Sequence, residues 1–337
     1  MTVPPPADAP RLPAARGPLS AAVLEFLRGD ATALAATDPA GADPFGEDLQ
    51  LALYCCYELH YRGFAGVADD LEWHPGLLAL RGALEAAFEA ALRAAVPASD
   101  GSDLDAVLEE LLVEPVSGRG PSWHLKEAGE VWQVREYVAH RSLYHLKEAD
   151  PQAWVIARLD GEAKAALVTV EHDEYGAGDP ARMHARLFAD MMTSLDLDAG
   201  YGAHLDAAPA QTLAEVNFMS LAGLHRRLRG ALVGQFAMVE LTSSPGSDRL
   251  VRALRRLDLP EAAVEFYAEH IEADAVHEQL LRRGVVAPLV AREPSLAADV
   301  VFGVRASSLL ADRLAEHLLA CWERGESSLR PVPAPVA

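Results

Sequence analysis

The sequence predicts an almost entirely α-helical protein. Ala, Leu, Glu and Arg, which favour helices, dominate the 337 residues. Runs of Val, Ile and Thr bounded by turn residues, which would predict strands, are scarce. Half of the residues are hydrophobic, which is enough for a sizeable buried core. We therefore expect packed helices that form one large domain or two ordinary ones.

The charge and the cysteine content argue against several classes of function. Lys and Arg total 29 against 50 Asp and Glu, and the net charge of −21 disfavours nucleic acid and membrane surfaces as partners. The three cysteines, Cys55, Cys56 and Cys321, cannot build a disulfide framework or a four-cysteine zinc site. The sequence shows neither a signal-peptide pattern at its start nor an uninterrupted apolar stretch of about 18 residues. We expect a soluble cytoplasmic protein.

Stretches rich in Pro, Gly and Ser divide the chain into four predicted segments. Residues 1–44 are predicted to form a Pro/Ala-rich tail or linker with one short helix near residues 19–27. Residues 45–127 are predicted to contain a first helical region and a connection. Residues 128–326 are predicted to form a second helical region, and residues 327–337 a Pro-rich tail.

Within the second region, turn and capping residues delimit about seven helices, which predicts a bundle. Asp160 is a suitable N-cap, and Gly176 suits the position after a helix. The Ser-Ser-Pro-Gly run at 243–246 predicts a helix end. The predicted helices cover residues 130–149, 161–176, a segment beginning after Asp179-Pro180, 212–242 with a weak point at Gly230, 247–257, 260–283 and 294–324.

The stretch YAEHIEADAVHEQ carries the most informative pattern. His270, Asp274 and His277 are spaced i, i+4 and i+7, so on a helix they lie within roughly 60° of one another. Phe266 and Ala273 share this face, so the polar residues interrupt an apolar stripe and need a compensating partner such as a metal ion. A solvated polar face is the alternative interpretation.

Further carboxylates and one histidine are candidate ligands on other helices. Glu240 is the only charged residue in GALVGQFAMVELTSS, where an unpaired carboxylate would be costly unless it lies at a helix end and reaches water. Glu174 ends one predicted helix and His184 lies one turn into the next, so the short connection brings them together. Glu148 lies near the end of the preceding helix, where a surface role is the alternative.

The donor types favour iron or manganese. Oxygen and imidazole ligands on a helical bundle suit these metals, and a carboxylate-bridged di-iron centre is the commonest such arrangement. Ferritin-like bundles use a repeated Glu-x-x-His motif, but none of the twelve histidines has Glu three residues before it. The sequence therefore disfavours the ferritin-like class.

In their order and spacing these residues resemble the haem-oxygenase-like di-iron oxidases and oxygenases, which are often called iron-containing redox enzymes. Members carry a Glu on an early core helix, a Glu with a His ten residues later, a later helical Glu, and then an H-x3-D-x2-H signature. The resemblance extends over residues 130–325 and fills all seven positions, with Glu148, Glu174, His184, Glu240, His270, Asp274 and His277.

The resemblance implies a seven-helix haem-oxygenase-like fold without haem. It also implies two Fe(II) ions per chain, with Glu174 between them and O2 as co-substrate. Relatives N-oxygenate amino-acid or guanidine nitrogens, or cleave carbon–carbon bonds in fatty acids or amino acids. We therefore expect a non-haem di-iron oxygenase or oxidase of a small metabolite, preferably an amine or amino acid, with a fatty acid as second choice. An external electron donor and a homodimer are compatible with this function.

Two other functions stay open at this point. One is a non-catalytic helical protein of the same fold that binds metal or docks a partner. The other is a metal-free hydrolase like thiamin-degrading relatives, which is weakened because no cysteine occurs between Cys56 and Cys321.

Several other side chains have both a functional and a structural interpretation. Candidate pocket walls, for which ordinary core packing is the alternative, are Met219, Phe236, Tyr144 and Tyr267. The basic cluster at 225–229 is predicted to form surface salt bridges rather than a substrate site. Cys55 and Cys56 are predicted to be buried hydrophobic residues.

Overall fold

The computed structural model describes residues 9–35, 37–114 and 117–332, although the side chains of residues 272, 274 and 275 lie outside the description. The described residues form helices and turns, and they contain no β-strand. The all-α prediction is confirmed.

The described residues up to 127 contain five α-helices, of which α1 precedes the predicted first region. They are α1 (Pro18–Leu27), α2 (Glu47–Glu58), α3 (Pro75–Ala95), α4 (Leu104–Leu111) and α5 (Pro121–Glu127). Helix α1 begins at a proline, which suits the first helical turn because its missing N–H would have no helical partner there.

Helix α1 is part of the core, so a tail or linker is the wrong description of residues 18–27. Leu19, Val23 and Leu24 are buried in the main apolar cluster. The Asp48 carboxylate on α2 accepts hydrogen bonds from the backbone N–H groups of Leu19 and Ser20, at 2.9 and 2.7 Å. These bonds satisfy N–H groups that a helix start leaves without partners, and they fix α1 against α2.

The second region contains seven described helices of eleven residues or more, in agreement with the predicted number, together with the shorter α7 and α13. The bounds are α6 (Val131–His145), α7 (Asp150–Ile156), α8 (Gly161–Glu174), α9 (His184–Ser194), α10 (Ala210–Leu224), α11 (Arg229–Arg256), α12 (Glu261–Gln279), α13 (Ala287–Arg292) and α14 (Ala297–Glu323). A π-helical segment, Leu280–Val286, connects α12 to α13. Asp160 caps α8 as predicted, because its side chain accepts a hydrogen bond from the Gly161 N–H.

Two predicted boundaries near α11 are wrong. The predicted helix 212–242 is divided by the turn Arg226–Leu228, and α11 then continues through Pro245 instead of ending at 243–246. A proline inside a helix costs about 3 kcal/mol. Beyond the proline α11 buries Leu250, Val251 and Leu254, and this apolar burial offsets the cost.

Two apolar clusters form the core. The larger joins residues of α1–α4 to residues of α8, α10, α11 and α14, so the first region packs directly on the second. The smaller lies among α6, α9, α11, α12 and α14. Among the described residues, one helical stretch, residues 294–323, is long and apolar enough to span a membrane, and half of its apolar window is buried within the protein.

The C-terminal segment is not a free tail over its described part. Glu136 on α6 accepts hydrogen bonds from the backbone N–H of Ser328 at 3.0 Å and from its hydroxyl at 2.7 Å. The Ser328 hydroxyl also lies 3.0 Å from His140 Nε2. These contacts hold the segment against α6, whereas residues 333–337 lie outside the described part of the chain. The division into four segments otherwise stays a prediction.

The buried His140 predicts a loss of stability in acid. Burial lowers its pKa to about 3, from an ordinary value near 6.5. Below pH 6.5 the unfolded chain therefore takes up a proton that the folded chain refuses, so stability falls with pH down to about 3. Between pH 7 and 5 this residue should remove about 2 kcal/mol from the free energy of unfolding.

Urea unfolding at both pH values tests this prediction. His140→Gln should remove about 2 kcal/mol of the acid-induced loss, whereas His172→Gln, at an exposed position of α8, should keep it. An equal loss in the wild type and in His140→Gln would mean that other groups account for the acid sensitivity.

Candidate metal centre

Two adjacent groups of buried donor atoms lie where α6, α8, α9, α11 and α12 meet. In each group the donor atoms all lie within 4.8 Å of one another. The first group contains Glu148, Glu174, His184 and His270, and the second contains Glu174, Glu240 and His277. Glu174 belongs to both groups. The structure thus brings together six of the seven residues that the sequence predicts as ligands.

The seventh predicted residue, Asp274, has a side chain outside the described residues. Its backbone lies in α12, between His270 and His277. Its role as a ligand stays a prediction.

The connection between α8 and α9 sets the distance between Glu174 and His184. Glu174 is the last residue of α8 and His184 the first of α9. Gly176 has a φ of 76°, and a side chain there would collide with the backbone of Met183, so the tight turn requires glycine. His184 Nδ1 consequently lies 2.7 Å from Glu174 Oε2.

Helix α12 supplies two imidazoles to the site. His277 Nδ1 lies 3.4 Å from Glu174 Oε1 and 3.2 Å from Glu240 Oε2. His270 Nδ1 lies 2.7 Å from the Phe266 carbonyl oxygen, which can only accept, so Nδ1 carries the proton. The lone pair of His270 is therefore on Nε2, which lies 3.8 Å from Glu148 Oε1. Metal-binding histidines commonly donate their other ring N–H in this way.

Glu148 lies in the turn between α6 and α7, where His145 orients it. His145 Nδ1 lies 2.7 Å from Glu148 Oε1, and His145 Nε2 lies 3.5 Å from Arg141 Nε. A guanidinium can only donate, so His145 Nε2 accepts and Nδ1–H donates to Glu148. Burial lowers the pKa of His145 to about 4, which keeps the ring neutral. Glu148 Oε2 is buried without a hydrogen-bond partner among the described residues, so it is available to a cation.

Imidazoles favour the ionised form of Glu148 despite its burial. Burial opposes its ionisation, but His145 and His270 outweigh this effect and hold the pKa of Glu148 well below the usual range. The site thus combines a buried carboxylate anion with the carboxyl groups of Glu174 and Glu240. Cations would compensate such clustered negative charge.

Glu171, which the sequence analysis missed, is a further buried acid of this site. It lies one turn before Glu174 on α8 and is 2 % exposed. Burial, followed by the charges of Glu174 and Glu240, raises the pKa of Glu171 to about 9, so the group is neutral at pH 7. Its spacing of three residues from Glu174 was the available sequence signal, because i and i+3 share a helix face.

The alternative interpretations of Glu240, His270 and His277 as solvent-exposed side chains are wrong. Glu240 is 5 % exposed in the interior of α11, because that helix does not end at 243–246. His270 and His277 are 7 % and 1 % exposed, so this part of α12 is not a solvated polar face.

A cavity of about 410 Å³ reaches the donor groups at Glu148, Glu240 and His270. Of the predicted wall residues, Met219 and Tyr267 line it. Phe236 and Tyr144 are buried in the main apolar cluster and are not lining residues, so core packing is the better interpretation for them. Cavities of this size accept small metabolites.

The structure confirms the structural interpretation of the remaining motifs. In the basic cluster, His225 Nε2 lies 2.9 Å from Glu85 Oε2, and Arg227 and Arg229 form ion pairs with Glu89 and Glu293. Cys55 and Cys56 are buried, and burial raises the pKa of Cys56 to about 12. These cysteines are therefore unreactive thiols in the core.

The residues present fit ferrous ions. The donors are carboxylate oxygens and imidazole nitrogens, which suit iron, and the two described groups contain no cysteine. A bound cation would explain the buried Oε2 of Glu148, which has no hydrogen-bond partner among the described residues.

Comparison with known proteins agrees with this chemistry. A family model described as "Iron-containing redox enzyme" matches residues 135–312, which is just over half of the chain and includes every proposed ligand. The family is a haem-oxygenase-like helical family. No curated protein matches the sequence.

Proposed function

The chain belongs to the family of iron-containing redox enzymes, and from this premise we propose that it is an O2-activating non-haem di-iron oxygenase or oxidase. The observation that carries the proposal is the pair of adjacent buried donor groups that share Glu174. One ferrous ion is assigned to Glu148, Glu174, His184 and His270. The other is assigned to Glu174, Glu240 and His277, with Asp274 as a further ligand.

Ferrous ions held by these residues would supply the electrons for the reduction of O2. The residues of the chain hold, orient and shield the centre. His145 fixes the orientation of Glu148, and the Phe266 carbonyl fixes that of His270. Phe188 and Phe266, which are both fully buried, pack against the His145 ring and exclude water from that side.

The cavity supports a small polar substrate, and we propose an amine or amino acid. Its wall contains the charged pair Arg141 and Glu215 as well as apolar side chains. A fatty acid, the second choice, would bring a long apolar chain against these charges, which is unfavourable. An external electron donor, a homodimer and a cytoplasmic location belong to the same proposal.

Anaerobic titration with ferrous iron, followed by exposure to O2, tests the proposed function. We expect two ferrous ions per chain and their oxidation by O2, both measured by Mössbauer spectroscopy. His270→Ala and Glu240→Ala should each lose about one iron, because each removes a ligand from a different group. His172→Ala, an exposed position on α8, is the matched control and should bind two.

Two results would contradict the proposal. The absence of stoichiometric iron uptake, or uptake that both substitutions leave unchanged, would show that these residues do not hold the metal. Uptake of two ferrous ions that O2 does not oxidise would instead indicate a non-catalytic metal-binding protein.

A further inference from the structure

The wall of the cavity contains a charged pair whose members are not among the proposed ligands. Arg141 on α6 and Glu215 on α10 face each other with Nη1 and Oε2 2.9 Å apart. Their side chains are 20 % and 11 % exposed, and both line the cavity. The pair is therefore accessible to a bound molecule although it lies inside the protein.

A purely structural role explains this pair poorly. Taking two charges out of water costs several kcal/mol per ion, and apolar side chains of similar volume often stabilise a fold as well or better. The described contacts join the pair through a single Arg141 nitrogen and a single Glu215 oxygen. The Nη2 group of Arg141 and Oε1 of Glu215 are left to bind groups of opposite charge.

The pair lies close to the donor groups, since Arg141 is on α6 and Glu148 follows in the turn after that helix. His145 connects them, because it contacts Arg141 through Nε2 and Glu148 through Nδ1. The lining of one cavity thus contains both the charged pair, Arg141 and Glu215, and three of the proposed ligands, Glu148, Glu240 and His270.

Three other polar atoms in the cavity lining are suited to bind a polar ligand. They are Gln235 Nε2, Tyr267 Oη and Ser307 Oγ, each of which is buried without a hydrogen-bond partner among the described residues. Buried polar groups in native proteins are normally satisfied, and a bound molecule with several hydrogen-bonding groups would satisfy these atoms. A fatty acid has only one hydrogen-bonding group, its carboxylate.

We propose that Arg141 and Glu215 bind the carboxylate and the ammonium group of a zwitterionic amino acid. Arg141 pairs with the carboxylate, since a guanidinium presents planar donors that match two carboxylate oxygens. Glu215 accepts hydrogen bonds from the ammonium group. The side chain of the amino acid then points along the cavity towards Glu148 and His270. This inference deepens the proposed function and rests on it for the oxidation, although not for the binding.

Isothermal titration calorimetry on the full chain tests the proposal. The ligands are the twenty common L-amino acids and, for each that binds, the amine lacking its carboxylate and the acid lacking its ammonium group. The titrations are done on the metal-free protein and on the anaerobic ferrous protein. We expect at least one amino acid to bind and each truncated analogue to bind at least tenfold more weakly. Equal affinity for a truncated analogue, or no binding of any amino acid, would overturn the proposal.

Paired variants locate the binding to these residues. The double variant Arg141→Met/Glu215→Met removes both charges and leaves no unpaired one, so we expect it to fold and to bind the amino acid at least tenfold more weakly. Arg227→Met/Glu89→Met, which removes an ion pair outside the cavity, should leave the affinity unchanged. Unchanged affinity in the first variant would overturn the proposal, and the ligand comparison on the wild type tests it independently of folding.

Iron content measured on the same samples separates the two proposals. Amino-acid binding without stoichiometric iron would refute the di-iron function and keep the zwitterion site. Two irons without amino-acid binding would refute only the zwitterion site.

Discussion

Replacing Glu174 with alanine is expected to abolish the binding of both ferrous ions. Its carboxylate belongs to both donor groups, with Oε2 2.7 Å from His184 Nδ1 and Oε1 3.4 Å from His277 Nδ1. Loss of a ligand from both sites weakens both, whereas Glu240→Ala affects the second group alone. We expect less than about 0.2 iron per chain for Glu174→Ala and about one for Glu240→Ala, from affinity losses of tenfold or more per ligand.

Anaerobic equilibrium dialysis against ferrous iron, with colorimetric iron determination, measures these stoichiometries. Glu162→Ala, an exposed position on the same helix, is the control and should retain two irons. Circular dichroism should show a folded Glu174→Ala variant, because the substitution removes one of several clustered negative charges. One full iron per chain in Glu174→Ala would show that the two groups do not depend on a shared carboxylate.

Much of the site could be predicted because its ligands follow local geometry. The spacing of His270 and His277 places them on one face of any regular helix, and a short connection brings Glu174 to His184 whatever the rest of the fold. Glu240 is conspicuous as a single charge in an apolar helix. Each of these inferences needs only helix periodicity and the cost of burying a charge.

The parts that could not be predicted depend on tertiary packing. The run at 243–246 has the composition of a helix end, but burial of the following residues on α12 and α14 keeps α11 helical through Pro245. The sequence predicts the short helix near residues 19–27 but not its place in the core, because Asp48 and the main apolar cluster hold α1 from other parts of the chain. The residues that keep α11 helical and hold α1 in the core lie on other helices, so the local sequence does not reveal them.

The roles of His145 and Glu171 in the site could not be predicted for the same reason. His145 resembles any polar residue near a helix end, and only the fold places it between Arg141 and Glu148. Glu171 shares a helix face with Glu174, but its raised pKa arises first from burial, then from Glu174, and then from Glu240 on α11, and the burial and Glu240 depend on the fold. Such residues tune a site through contacts between elements, which spacing along the chain does not encode.

The contact between α11 and α14 fixes the position of the helix that carries Glu240. Gly234 on α11 lies directly against the backbone of Val300, and Gly303 on α14 lies directly against that of Ala231. A Cβ atom at either glycine would overlap with the facing carbonyl oxygen. The obstacle is backbone in both cases, so a change of side-chain rotamer cannot relieve it, and the helices must separate.

Gly234→Ala and Gly303→Ala should therefore each lower the free energy of unfolding by about 3 kcal/mol, because the overlap outweighs the greater helix propensity of alanine. Gly82→Ala is the matched control, since Gly82 is exposed in α3 with open space around it. It should raise the same free energy by about 0.5 to 1 kcal/mol. Urea unfolding of the three variants measures these differences. A stabilised Gly234→Ala or Gly303→Ala would mean that α11 and α14 do not approach this closely, and that Glu240 is positioned by the surrounding ligands instead of by this helix contact.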